Sequence, residues 1–211
     1  SLAQAIAVDF ALIALFALQH SGMARPAFKA WWARMVPPAL ERSTYVLASA
    51  LALGAFIAFW EPLGGTLWRI ESGWALTAIY AAVAVSWAVL LSATFCIDHF
   101  DLFGLRQVWL AARQQPYAER SFMTRGLYRL VRHPIYLGWF LVVWITPVMT
   151  LSHLFFALLL TGYVLKAIRW EERDLMAALP EYAAYREQVP MVLPSPGRSV
   201  PAVAAPTADA L

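Results

Sequence analysis

The chain has 211 residues, 61% of them hydrophobic and only 14% charged, with a mean hydropathy of +0.60. A soluble domain is nearer half apolar and a quarter charged, so this balance excludes an ordinary soluble globule and points to an integral membrane protein. The single Cys96 excludes a disulfide framework and a cysteine-based zinc site. The net charge of +3 comes with no separate basic domain carrying base-stacking aromatics, which excludes nucleic-acid binding.

Five apolar segments predict an all-α integral membrane fold of five transmembrane helices. The first, Leu2 to Leu18, lacks a small-residue cleavage site and is expected to be a retained span rather than a leader. The loop Gln19 to Arg42 carries Ala27-Phe28-Lys29-Ala30-Trp31-Trp32, an amphipathic stretch whose tryptophans suit the membrane interface, and closes at Pro37-Pro38. The second and third segments run from Thr44 to Trp60 and from Trp74 to Ile97. At about 1.5 Å per residue against a hydrocarbon core of about 30 Å, the third spans easily and the first two just suffice. The second and third are apolar all round, which excludes soluble helices with a polar face.

The loop Asp98 to Arg132 is too polar for lipid, and Leu102, Phe103, Leu105, Val108, Trp109 and Leu110 predict a membrane-hugging helix that ends near Pro116. The fourth and fifth segments, Ile135 to Met149 and Leu154 to Ile168, are short, roughly 22 Å each by the same rise. They are joined only by Thr150, Leu151, Ser152 and His153. This predicts a tight helical hairpin that reaches the far interface by thinning the local bilayer. Leu175, Leu179, Tyr182 and Tyr185 predict a further interfacial helix over Glu171 to Gln188. The membrane domain is expected to end at Pro194, with residues 195–211 a disordered tail rich in Pro, Ala, Ser and Gly.

Of 16 Lys and Arg residues, four lie in 21–42, one in 61–73, six in 97–134, none in 150–153 and five from 166 onward. Five spans place all but one of them on one side, the cytoplasm by the positive-inside rule, with the N-terminus outside and the C-terminus inside.

Chemistry concentrates at that boundary. Pro134 cannot donate a helical hydrogen bond and biases His133 away from helix, so Arg132-His133-Pro134-Ile135-Tyr136 opens the fourth segment with free polar groups. Two readings are open for it: an interface anchor, or an anion site made of helix N-terminal amides and Arg132. Glu171-Glu172 stands at the far end of the hairpin, unfavourably near a helix C-terminus. Either Lys166, Arg169 and Arg173 neutralise the acids, or the acids hold the ammonium of an amino acid-like ligand. His20, Asp98 and His99 lie at the inner ends of the first and third spans, where ionisable groups are candidates for acid-base work.

Gly126-Leu127-Tyr128, Arg132-His133-Pro134-Ile135-Tyr136, Gly138-Trp139, Glu171-Glu172 and Tyr182-Ala183-Ala184-Tyr185-Arg186 with Val189-Pro190 together resemble the isoprenylcysteine carboxyl methyltransferase family of integral membrane enzymes. The resemblance implies S-adenosyl-L-methionine as cofactor. It implies a cofactor pocket lined by Ser121, Phe122, Met123, Tyr128, His133, Pro134, Ile135, Tyr136 and one of Glu171 or Glu172. Gln19-His20-Ser21-Gly22-Met23, Glu41-Arg42-Ser43-Thr44-Tyr45, His99-Phe100-Asp101-Leu102-Phe103-Gly104 and Thr146-Pro147 look like a bacterial branch of these enzymes that methylates methanethiol to dimethyl sulfide. That likeness implies a small thiol as substrate, membrane lipid as surroundings and the bacterial inner (cytoplasmic) membrane as location. The catalytic candidates are then His20, Asp98, His99 and Arg132. No metal site is expected. Methylation of a lipid-linked acceptor, or a non-catalytic membrane protein on the same scaffold, are the alternatives.

Overall fold

The protein was analysed as a computed structural model that describes residues 1–118 and 122–195. Among the described residues four helices are long and apolar enough to cross a membrane: α1 (Leu2–Met23), α3 (Pro38–Phe59), α4 (Gly73–Ile97) and α8 (Leu151–Ala178). At about 1.5 Å per residue they measure roughly 33 to 42 Å. A helix satisfies its own backbone, so leucine and phenylalanine can line its whole outer surface. Leu51, Ile57, Val85 and Leu158 are exposed on these helices accordingly.

Local chemistry sets the helix ends. The Ser1 hydroxyl caps α1 by accepting the Gln4 amide at 3.3 Å. Both α2 (Pro26–Trp32) and α3 start on proline, whose fixed φ suits a first helical position. In α2, Phe28, Trp31 and Trp32 cluster with ring centroids 5.2 to 5.8 Å apart. The polar loop after α4 contains α5 (His99–Leu102) and α6 (Leu105–Ala112), two short helices in place of one continuous one.

The fourth apolar segment departs from expectation. Its helix, α7 (Pro134–Trp144), stops after 11 residues, roughly 16 Å. Pro147 explains the stop, because it disfavours helix at Thr146 and Ile145 is already extended. The chain then forms β2 (Val148–Thr150), which pairs with β1 (Thr66–Arg69) from the loop before α4. Ile70 N–H also donates to the Pro147 carbonyl at 2.9 Å. The Thr150–His153 turn is therefore corrected: Leu151, Ser152 and His153 already belong to α8. The helix expected over Glu171 to Gln188 is also corrected. α8 runs through both acids to Ala178, and a separate α9 (Tyr182–Gln188) follows Pro180.

The chain divides into two compact units. The first comprises residues 1–68, 100–117 and 149–163. In it α1 packs on α3, and the fully buried Asp9 accepts the Glu61 amide at 2.8 Å. Gly104, at φ 80°, sits against α3, where an added Cβ would lie 2.8 Å from the Ser43 nitrogen. Arg42 Nε meanwhile donates to the Leu102 carbonyl at 2.7 Å.

The second unit comprises residues 69–99, 118–148 and 164–211 as far as they are described. In it α4 packs on α7 at Gly138, where an added Cβ would lie 2.7 Å from Leu90 Cα, so only the missing side chain allows this approach. Tyr182, Tyr185 and Val189 form a small core with Phe122, Leu175 and Leu179. The tail expected beyond Pro194 lies, except for Ser195, outside the described residues.

Candidate active site

Adjacent residues on a helix point about 100° apart, so Glu171 and Glu172 cannot face the same way. Glu172 turns inward, with its side chain 8% exposed, and becomes the centre of a charged network. Arg132 Nε donates to its Oε1 at 2.7 Å and His133 Nε2 to the same oxygen at 3.1 Å. The Tyr182 hydroxyl donates to Oε1 from 3.5 Å, and Arg186 Nε lies 3.2 Å from Oε2. Glu171 stands at the edge, 43% exposed, and accepts the Tyr136 hydroxyl at 2.9 Å. His133 Nδ1 is 3.9 Å from it.

The segment after α9 completes the site. Arg132 N–H donates to the Pro190 carbonyl at 2.9 Å and His133 N–H to that of Met191 at 3.1 Å. The Arg132 guanidinium donates further to the carbonyls of Val189 and, at 2.8 Å, of Arg186. Arg132 Nε and Nη1 thus donate to protein oxygens, as do the amides of residues 132 and 133. The first turn of α7 keeps the Ile135 amide, which has no carbonyl four residues back inside the helix.

The remaining expected pocket residues gather nearby in the same unit. Pro134 is buried and Ile135 half-buried. The Tyr128 carbonyl accepts the Tyr185 hydroxyl at 2.6 Å. Phe122 meets Tyr182 and Tyr185 edge-on, with centroids 6.1 and 5.3 Å away, and Met123 follows it half-buried. Ser121 lies outside the described residues. Burial pushes the phenol of Tyr128 well above its ordinary value, with the Glu171 charge adding to it. Burial does the same at Tyr182, where Glu172 adds, and at Tyr185. All three are therefore neutral hydroxyls that can donate.

The other catalytic candidates have their own surroundings. In the first unit His20 Nδ1 lies 3.1 Å from Ser49 Oγ, and its Nε2 lies 2.9 Å from the Tyr45 hydroxyl. Phe16 stacks on the ring at 5.1 Å. Beside it Gln19 Nε2 donates to Ser49 at 3.3 Å, while the buried Gln19 Oε1 has no partner among the described residues. In the second unit Thr94 Oγ1 donates to the Leu91 carbonyl at 2.7 Å, so it must accept His99 Nδ1–H at 2.8 Å. That bond sets the tautomer of His99, and Phe95 stacks on the ring at 4.4 Å. Asp98, at φ 152°, ends α4 in a sparsely populated backbone conformation.

Sequence reasoning did not assign site roles to Tyr182 and Arg186 as partners of Glu172, or to Tyr45 and Ser49 as partners of His20. The four-residue step from Tyr182 to Arg186 on one helical face is the signal that could have flagged the first pair. Tyr45 and Ser49 show the same four-residue step on α3, but that spacing does not say that the face meets His20 of α1. No group of three or more His, Cys, Asp or Glu suited to a metal occurs among the described residues.

The start of α7 thus supplies one half of a charged network and a helix of membrane-spanning length the other. The sequence profile of the isoprenylcysteine carboxyl methyltransferase (ICMT) family matches residues 89–177. A methanethiol S-methyltransferase of Crocosphaera subtropica is 49% identical over 199 residues, covering 94% of this chain and 78% of that protein. One from Mycobacterium tuberculosis is 49% identical over 196 residues, covering 92% and 80%. Nurim of Sus scrofa is 33% identical over 178 residues, covering 81% and 68%. No solved structure matches. The chain belongs to the isoprenylcysteine carboxyl methyltransferase family.

Proposed function

We propose that this chain methylates a small thiol, methanethiol, using S-adenosylmethionine at the cytoplasmic face of a bacterial inner membrane. The observation that carries the reading is the unequal use of two adjacent acids. Glu172 is engaged by Arg132, His133, Tyr182 and Arg186, whereas Glu171 keeps an exposed carboxylate edge oriented by the Tyr136 hydroxyl, with His133 Nδ1 3.9 Å away. An ammonium group needs an accessible, fixed anion of the second kind. The chemistry of the donors also fits an amino acid-like tail: Glu171 for its ammonium, and the Ile135 amide at the α7 N-terminus for its carboxylate.

When bound, S-adenosylmethionine supplies an electrophilic methyl group on a sulfonium. The faces of Tyr128 and Tyr136 would stabilise that positive charge by cation–π contact. Phe122, Met123, Pro134 and Ile135 would wall the cofactor pocket and exclude water, which would strengthen its electrostatics. His133 and Arg132 act through Glu172, holding the end of α8 in register with the start of α7. A thiol must lose its proton before it is a good nucleophile. The imidazoles of His20 and His99, with Asp98, are the chain's candidates to accept it.

Orientation follows from the charge count. An odd number of crossings, with α7 and residues 145–150 making the short pass, puts all but one Lys or Arg on one side, N-terminus outside and C-terminus inside.

The test uses purified protein with methanethiol and cofactor, with dimethyl sulfide measured in the headspace. Product dependent on both additions is expected. Protein that binds S-adenosylhomocysteine yet makes no dimethyl sulfide overturns the thiol assignment, and protein that binds none overturns the catalytic reading.

A further inference from the structure

Arg169, Glu172, Arg173 and Met176 fall on one face of α8, at spacings of three and four residues. With Arg186 of α9 they wall a cavity of about 310 Å³. Its charge is unbalanced. Glu172 is the one acid in the wall, and its oxygens are already taken by Arg132 at 2.7 Å and Arg186 at 3.2 Å. Among the described residues Arg173 pairs with Asp174, at 3.9 Å with 72% of its own side chain exposed, a pairing that contributes little. Arg169 has no ion pair among the described residues.

The place of the cavity along the helix says what would fill it. Arg169 directly follows Ile168, the last residue of the apolar run. At the same level the Lys166 amine lies 5.2 Å from the Trp170 ring centre, a pairing typical of the lipid-water boundary. Met176 is about 10 Å further along the axis. There Arg186 Nη1, 3.0 Å from Met176 Sδ, forms the far wall. The cavity thus starts at the edge of the hydrocarbon and extends through the headgroup layer.

We propose that this cavity binds the phosphodiester headgroup of an anionic glycerophospholipid, with Arg169 and Arg173 as the phosphate forks. The acyl chains stay beside the apolar part of α8. Guanidinium geometry matches phosphate oxygens bidentately, and anionic lipid concentrates at clustered arginines next to a span. The proposal rests on α8 crossing the membrane and is independent of the methyl-transfer reading.

The test is the melting temperature of the full chain in an uncharged detergent, titrated with short-chain phosphatidylglycerol, short-chain phosphatidylcholine or inorganic phosphate. Phosphatidylglycerol is expected to raise Tm by about 5 °C at saturation, while the other two move it by about 1 °C or less. In R169Q/R173Q most of that shift should vanish, with S-adenosylhomocysteine affinity unchanged within about twofold. R169K/R173K keeps both charges and should retain much of the shift, which separates loss of the site from loss of the fold. A full shift persisting in R169Q/R173Q overturns the proposal. An equal response to inorganic phosphate overturns the lipid as occupant. A tenfold loss of S-adenosylhomocysteine binding in R169Q/R173Q would assign the cavity to the cofactor instead.

Discussion

Around His20 the hydrogen-bonding and stacking partners are neutral: a tyrosine hydroxyl, a serine hydroxyl and a stacked phenylalanine, with a glutamine oxygen nearby that has no partner among the described residues. Around His133 most are charged, and both carboxylate oxygens of Glu172 are engaged by arginines, a histidine or a phenol. Each arrangement places polar groups in a chain dominated by apolar residues. A neutral cluster can leave an acceptor unpaired at modest cost, whereas a buried charge must be met by opposite charge. The first arrangement therefore leaves hydrogen-bonding capacity unspent. The second suits a fixed frame.

Glu172→Gln strikes that frame and should produce the largest effect. Removing one partner of a buried ion pair leaves Arg132 uncompensated, at about 3–5 kcal/mol. Thermal unfolding should show a Tm drop of many degrees, with S-adenosylhomocysteine binding lost alongside it. His20→Ala should leave both Tm and cofactor binding nearly intact while slowing methanethiol turnover by about 10²–10⁴, the range of a general base. If His20→Ala destabilises as much as Glu172→Gln, the contrast between the two clusters is broken.

Glu171→Gln should sharpen it from the other side. The fold is expected to survive, and S-adenosylhomocysteine affinity should fall by about 10- to 100-fold in calorimetry, the value of one charge-assisted hydrogen bond. The smallest effect concerns pH. The phenols of Tyr128, Tyr182 and Tyr185 are raised above the ordinary value near 10 by burial. The unfolded chain therefore releases these protons first. Their contribution is intact below about pH 10 and is lost as pH climbs above it. Melting curves from neutral pH upward should be flat and then decline, and Tyr185→Phe should reduce the decline.

Much of this was legible in the sequence because it follows from local chemistry. Apolar runs longer than a bilayer is thick, Pro26 and Pro38 at helix starts, and the tryptophan-rich Pro26–Trp32 helix are all of that kind. The proline that cuts α7 short was also visible, but Val148 and Met149 continue the apolar run, and hydropathy alone cannot tell a strand from a helix there. The motif from Arg132 to Tyr136 and the two acids announced a site. Which acid faces inward depends on the rotation of α8 against its neighbours. That Arg132 spends its donors on Val189 and Arg186 depends on a chain segment more than fifty residues away. Neither fact has a local signature.

The hydrogen bonds from the Arg132 and His133 amides to the Pro190 and Met191 carbonyls carry a consequence for biogenesis. A polypeptide leaving the ribosome delivers every long hydrophobic helix to the membrane before it delivers these two carbonyls. Until they arrive, the Arg132 guanidinium lacks its main-chain anchors and Glu172 lacks Tyr182 and Arg186. The Glu172 network is therefore complete only once residues 182–191 have joined it, and a chain ending before Tyr182 would hold the long helices without that network.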